Sequence, residues 1–456
     1  MEAAGAAPGT ASPGGEGGLK RAISQKMLFV FVLGDVLGAG IYALVGVVAG
    51  ATGGAIWTAF LVATILAVLT AFSYAELVTK YPHAGGAAVY VHSAFNVPFF
   101  TFIVAFAVMC SGLASAATLS RAFAGDYFVQ FIQAPIVVVA ILFLLVVALI
   151  NFRGISESVK LNMGLTVIEV TGLAIIVLIG VVALFTGAGE PSRNFEFPAD
   201  SSVPIAILGG AALSFYALIG FEDAVNVAEE TEDPARTFPP ALFGGILVAG
   251  VIYLLVTFTA SMIVPAADLE ASDGALLEVV ERGPLGIPLQ LFALIALLAV
   301  ANGALINLIM ASRLLYGMAR QGILPAPFAS VHRTRQTPWV AIVFTTALAM
   351  MLATVGDLST LAGTTTTLLL FIFIAVNVAV LVLRRDHVDR RHFVAPSFIP
   401  ILGVAIILVL LVQRAATNPQ YFAYAGGLIL VGVVLYGINR VVAGRTGTID
   451  PDQLRG

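Results

Sequence analysis

The sequence predicts an all-α integral membrane protein with twelve transmembrane helices, and three observations predict it. The chain of 456 residues is 59% hydrophobic and 11% charged, and its mean hydropathy of +1.02 lies far above that of soluble domains. Twelve stretches are apolar over the length of about 20 helical residues that crosses about 30 Å of hydrocarbon. The basic residues also sort by side. With the N-terminus inside, where Lys and Arg should accumulate, only Arg121, Arg193, Arg282 and Arg414 of the 22 fall outside.

Residues 1–25 open with "MEAAGAAPGTASPGGEGGL", which has neither a basic start nor an apolar core and is expected to form a disordered cytoplasmic tail, not a signal peptide. The spans follow at 27–50, 55–79, 97–121, 131–151, 161–186, 204–227, 239–264, 288–317, 338–355, 358–383, 397–414 and 421–440. The narrowest gap is "TVGDLST", Thr354 to Thr360. A second cytoplasmic tail is expected at 441–456. Eight of the 26 acids lie in the outer loops "GAGEPSRNFEFPAD" and "PAADLEASDGALLEVVERG", so the net charge of -4 says little by itself. One cysteine, Cys110, leaves no internal disulfide, and the five histidines show no metal-ligand spacing. No metal, cofactor or nucleic-acid partner is expected; the lipid bilayer is, and the oligomeric state is open.

Two spans interrupt themselves. The stretch "GDVLGAGIYALVG" places Gly34, Gly38 and Gly40 inside the first span, with Asp35 among them. Gly34 and Gly38 fit a packing seam for a neighbouring helix. They also fit a discontinuous helix, in which glycine permits unwinding and frees backbone groups near the membrane midplane. The sixth span favours the second reading, because "GGAALSFYALIGFEDAVNVAEE" again has a mid-span glycine, Gly220, followed by Phe221, Glu222 and Asp223. A recurrence five helices later is what an inverted five-helix repeat produces, with a binding site where the broken helices meet. Irregular backbone at that depth is tolerated beside a cavity. Amides at a half-helix N-terminus favour an anionic group and freed carbonyls a cationic one. An α-amino acid presents both.

These motifs carry a resemblance. "GAGIY" (Gly38 to Tyr42), "SYAELVTKYPHAGGAAVYVHSAF" (Ser73 to Phe95), "FYALIGFEDAVNVAEETEDPARTFPPAL" (Phe215 to Leu242) and "SRLLYGMARQGILPAPFASVHRTRQTPWVAI" (Ser312 to Ile342) resemble, in order and spacing, the amino acid/polyamine/organocation (APC) superfamily of secondary transporters. The resemblance covers Lys26 to Arg440. It implies a LeuT-like 5+5 inverted repeat with discontinuous helices 1 and 6, the repeats at 26–186 and 204–383 and two further helices at 397–440. It also implies an amino acid permease of the cell membrane with both termini cytoplasmic. The substrate carboxylate would sit on the amides around Ala39, Gly40 and Ile41, and the ammonium would be held by carbonyls near Val36, Tyr216 and Ile219. Gly38, Ala217 and Gly220 would complete the substrate-binding residues. Tyr216 matches the aromatic that closes over substrate, and is otherwise an interfacial or packing tyrosine.

One position departs from the family. Several proton-coupled relatives carry a lysine in the fifth span, and aligning "GISESVKLNMGLTVIEVTGL" on them puts Glu169 there. An ionisable group inside a span points to function. Glu169 lies nine residues past Lys160 and Asp35 nine past Lys26, so both should sit about 13 Å into the membrane from one side. Two carboxyls in apolar surroundings hold a shared proton more readily than two charges. Glu169 with Asp35 is therefore the expected proton-coupling site. A sodium site on the same acids, or plain packing hydrogen bonds, are the competing readings, and Glu222 is a weaker candidate.

Other classes fit less well. No span carries a deep histidine or a paired catalytic motif for an enzyme, and two unlike broken helices in one chain do not make a channel filter. A polyamine or organic-cation carrier and a non-transporting nutrient receptor of the same fold stay open. So does symport against exchange. Acids without a lysine or arginine near the breaks lean toward neutral or cationic amino acids.

Overall fold

The computed structural model describes residues 23–82, 86–153, 158–199 and 201–443. Residues 1–22 and 444–456, nearly all of the two expected tails, lie outside the described residues, as do 83–85 and 154–157 of the quoted motifs.

Sixteen α-helices occur among the described residues, thirteen along the apolar stretches and three short ones between them. They are α1 (Gln25–Val36), α2 (Gly40–Thr52), α3 (Ile56–Lys80), α4 (Gly86–Phe95), α5 (Pro98–Ala122), α6 (Ile136–Arg153), α7 (Ser158–Thr186) and α8 (Val203–Ala217). There follow α9 (Pro234–Ile263), α10 (Ala266–Ala271), α11 (Ala275–Arg282), α12 (Leu289–Arg320), α13 (Trp339–Val355), α14 (Leu358–Leu383), α15 (Phe398–Thr417) and α16 (Gln420–Ala443). Nine of these are long and apolar enough to cross a membrane, and α1 with α2 makes a tenth span bent by 43°. Two shorter apolar helices, α8 and α13, have 15 and 17 residues. The described residues contain no strand beyond one parallel bridge that joins Ile23 to Thr231.

Local chemistry sets several ends. Pro234 starts α9 five residues before the apolar stretch predicts, because proline is pre-shaped for a first helical turn and needs no amide partner there. Asp357 caps α14 by accepting from the Thr360 amide at 2.7 Å. Helix α5 runs on into a π turn, Phe123–Tyr127, broken at Gly125.

One group of helices packs α1 and α3 on α9, and α2 and α3 on α8. In a second group α5 packs on α12, α13 and α14, and α7 touches both groups through α9 and α12. The interior lies along α5 and α14, each with 72% of its most apolar window buried, against 22% for α16. In lipid, close approach and hydrogen bonds replace the hydrophobic drive between helices. A polar clasp closes one end of α3: Glu76 accepts from Arg384 Nε at 3.0 Å, Arg384 Nη2 at 2.8 Å and the Ala395 amide at 2.8 Å. Beside it Lys80 Nζ donates to the carbonyl oxygens of Leu383 at 2.6 Å and Asp386 at 2.5 Å.

Candidate functional site

The first break lies between Val36, where α1 ends, and Gly40, where α2 begins. The first turn of α2 therefore presents amides with no partner inside the helix. The second break follows Ala217, the end of α8. There the chain turns through Gly220 at φ +126° into a 3-10 stretch, Asp223–Glu230. That φ is one side chains rarely adopt, so the turn requires glycine.

The two breaks touch each other twice. A Cβ on Gly40 would stand 2.6 Å from Ala217 Cα, and one on Gly220 would stand 2.9 Å from the Asp35 carbonyl oxygen and 3.1 Å from its carboxyl carbon. A third contact comes from α9, whose Tyr253 hydroxyl lies 2.5 Å from the Val36 carbonyl oxygen and 3.0 Å from that of Ala217. One proton serves two carbonyls that the breaks set free. The Gly220 amide, in turn, donates to Glu222 Oε2 at 2.9 Å.

A cavity opens where the breaks meet. Of the residues singled out in the sequence, Asp35, Val36, Gly38, Ala39, Gly40, Tyr216, Ala217, Ile219 and Gly220 line it. Ile41 does not: its side chain is 0% exposed in the apolar core, because the next residue along α2 turns away from the breaks. Tyr216 is held by α5, its hydroxyl 2.9 Å from Ser115 Oγ. No lysine, arginine or histidine is among the lining residues.

Glu169 stands behind the cavity wall. It is 0% exposed, its Oε1 accepts from Asn302 Nδ2 at 3.2 Å, and its Oε2 has no hydrogen-bond partner. Asn302 itself lines the cavity, so it joins the buried carboxyl to the space between the breaks. Tyr42 donates to the Glu169 carbonyl oxygen at 2.7 Å, and Tyr127 donates to the Tyr42 carbonyl oxygen at 2.9 Å. Asp35 Oδ2 is also buried without a partner. Asp223 lines the same cavity as Asp35. Among the described residues no group of three His, Cys, Asp or Glu is arranged to hold a metal ion.

Comparison with known proteins decides the family. The amino acid permease model matches residues 23–435. The chain belongs to the amino acid permease family. This permease thus falls in the APC superfamily that its motifs resemble. It is 25% identical to the branched-chain amino acid permease BcaP of Bacillus subtilis (strain 168) over 93% of this chain and 94% of that one. It is 28% identical to the methylthioribose transporter of the same organism, over 85% and 86% of the two chains. It is also 28% identical to the cystine/glutamate transporter of Homo sapiens, over 92% and 85%.

Sequence reasoning passed over Ser115, Tyr253, Asn302 and Asn307. The two asparagines had a usable signal: "AVANGALINLIM" carries two amides inside an apolar span, where polar side chains mark function. Tyr253 and Ser115 had none, since each acts on a partner more than 30 residues away in the chain.

Proposed function

We propose that this permease is a secondary active transporter that carries amino acids across the cell membrane by alternating access, driven by protons. The observation that carries the reading is the meeting of two interrupted helices, Gly40 on Ala217 and Gly220 on Asp35, around one cavity. The substrate carboxylate takes the first-turn amides of α2 at Ala39, Gly40 and Ile41, the last through its backbone alone. The ammonium takes carbonyls at Val36, Tyr216 and Ile219, and Tyr216 closes over it. The expected architecture is twelve spans in a 5+5 inverted repeat, 26–186 and 204–383, with 397–440 added and both termini cytoplasmic.

Glu169 is the proposed proton carrier. A bare charge at a site 0% exposed is expensive, and Asn302 gives the carboxyl a route to the cavity. A sodium ion between Asp35 and Glu169 is the rival. Substrate preference follows from the lining: acids without a base favour neutral or cationic amino acids over acidic ones. The names of the relatives cover branched-chain amino acids, cystine and glutamate, and a methylthio sugar, so they leave that preference to the cavity.

Counterflow in proteoliposomes tests the reading. Preloaded amino acid should accelerate uptake of labelled amino acid in the wild type and in Glu169→Gln. A pH gradient should drive accumulation in the wild type alone. Accumulation by Glu169→Gln under the pH gradient removes the proton role, and sodium dependence in its place supports the rival. Absence of counterflow with bound substrate makes the protein a receptor.

A further inference from the structure

A second space continues from the central cavity and shares Ser115, Ile219, Asp223 and Asn307 with it. Its walls carry acids on one segment and mostly apolar residues, with Ser111 and Thr365 among them, on the helices opposite. Glu222 and Asn226, with the shared Asp223, stand on the segment after the second break, while Val108, Met310 and Leu369 come from α5, α12 and α14. Among the described residues no lysine, arginine or histidine lines it.

Tyr74 adds an independent mark. The residue is 1% exposed and lines this chamber, yet its hydroxyl has no hydrogen-bond partner among the described residues. The ring is fixed by edge contacts with Tyr90, Phe221 and Phe373, at centroid distances of 6.3, 5.8 and 5.8 Å. The hydroxyl is thus left for a donor that enters the chamber. Glu222 and Asp223 line the same chamber as Tyr74. Glu222 is 9% exposed, with one oxygen on the Gly220 amide.

We infer that this chamber is a second binding site, selective for an apolar primary amine, and that its occupancy stops transport. The ammonium sits among Tyr74, Glu222 and Asp223, and the hydrocarbon lies against Val108, Met310 and Leu369. The amine needs no carboxylate, which separates it from the zwitterion of the central cavity. Binding stands on the chamber itself; only the effect on transport rests on the central-site reading, because the chamber opens from that cavity.

The test is calorimetric titration of the purified full chain with n-hexylamine, n-hexanol and hexanoate, beside an amino acid. Hexylamine should bind at least tenfold more tightly than the alcohol or the acid. Tyr74→Phe should weaken it about tenfold, the effect of one hydrogen bond to a charged group, and Met310→Trp should abolish it by filling the chamber. Leu369→Trp repeats that test should Met310→Trp fail to elute as folded protein. In proteoliposomes hexylamine should lower the rate of amino acid uptake without lowering amino acid affinity. Equal binding of hexanol and hexylamine overturns the proposal, as does hexylamine that amino acid displaces and that neither tryptophan weakens. A chain that binds hexylamine as described but no amino acid supports the chamber and refutes the central reading.

Discussion

Two buried glutamates show how differently one chain can treat the same side chain. Glu76 is 2% exposed and fully engaged, with a two-point contact to Arg384 and a backbone amide from Ala395. Glu169 is as deeply buried, and one asparagine amide is the hydrogen bond to its carboxyl, with the other oxygen left over. Charge is balanced at Glu76 and unbalanced at Glu169. The first arrangement fixes the end of α3 to the chain after α14. The second makes a bare charge expensive, the feature on which the proposed proton role rests.

Substitutions test that contrast, beginning with the largest effect. Arg384→Ala strands Glu76 as a buried, unpaired charge and should lower stability by about 3 to 5 kcal/mol. Thermal unfolding of the purified chain measures this. The double replacement Glu76→Met with Arg384→Leu should recover most of the loss, since an apolar pair can substitute for a buried ion pair. Failure to recover would assign the loss to the Arg384 contacts with Ser397 Oγ at 2.7 Å and the Ala395 carbonyl oxygen at 2.6 Å.

Tyr253→Phe comes next. It removes one donor from two buried carbonyls and should cost about 1 to 3 kcal/mol, with slower counterflow because the breaks lose their common contact. Unchanged stability and counterflow would show that the hydroxyl does not join the breaks.

A partnered acid nearer the surface gives the intermediate case. Burial pushes the Asp357 carboxyl up, but the hydrogen bonds from Thr360 and Ser359 and the nearby Arg121 outweigh it and leave it below its ordinary value of 3.8. A carboxyl depressed in the folded state lends stability that is present above pH about 4 and is lost as pH falls through the depressed value. Asp357→Ala should therefore cost about 1 kcal/mol at neutral pH. The difference from wild type should shrink on acidification, as unfolding followed at several pH values would reveal.

Glu169→Gln should be the smallest in stability, within about 0.5 kcal/mol of wild type, because it keeps an acceptor for Asn302 and removes no ion pair. A loss as large as that of Arg384→Ala would break the comparison and make Glu169 a structural residue.

Much of this was legible in the chain. Helix positions followed from apolar length, and both interruptions followed from glycine: the φ of +126° at Gly220 is a backbone requirement that only the residue type at that position announces. Azimuth was not legible. Equal spacing from Lys26 and Lys160 sets Asp35 and Glu169 at one expected level, whereas rotation about each helix axis directs Glu169 to Asn302 and puts Asp35 on the cavity wall. The same rotation takes the Ile41 side chain off the cavity while Gly40 stays on it. Tyr253 and Tyr74 escaped notice because a lone tyrosine in an apolar span gives no sign of what its hydroxyl meets until the helices are packed.

The Tyr253 hydroxyl bears on the unloaded half of the proposed cycle. A carrier that returns empty exposes the carbonyls that had gripped its cargo, and in a water-poor interior bare oxygens resist that return. Tyr253 stands within reach of two of them, Val36 and Ala217, as a resident stand-in for the departed ammonium. In that proposed cycle, cargo would displace a hydroxyl from the carbonyls it takes.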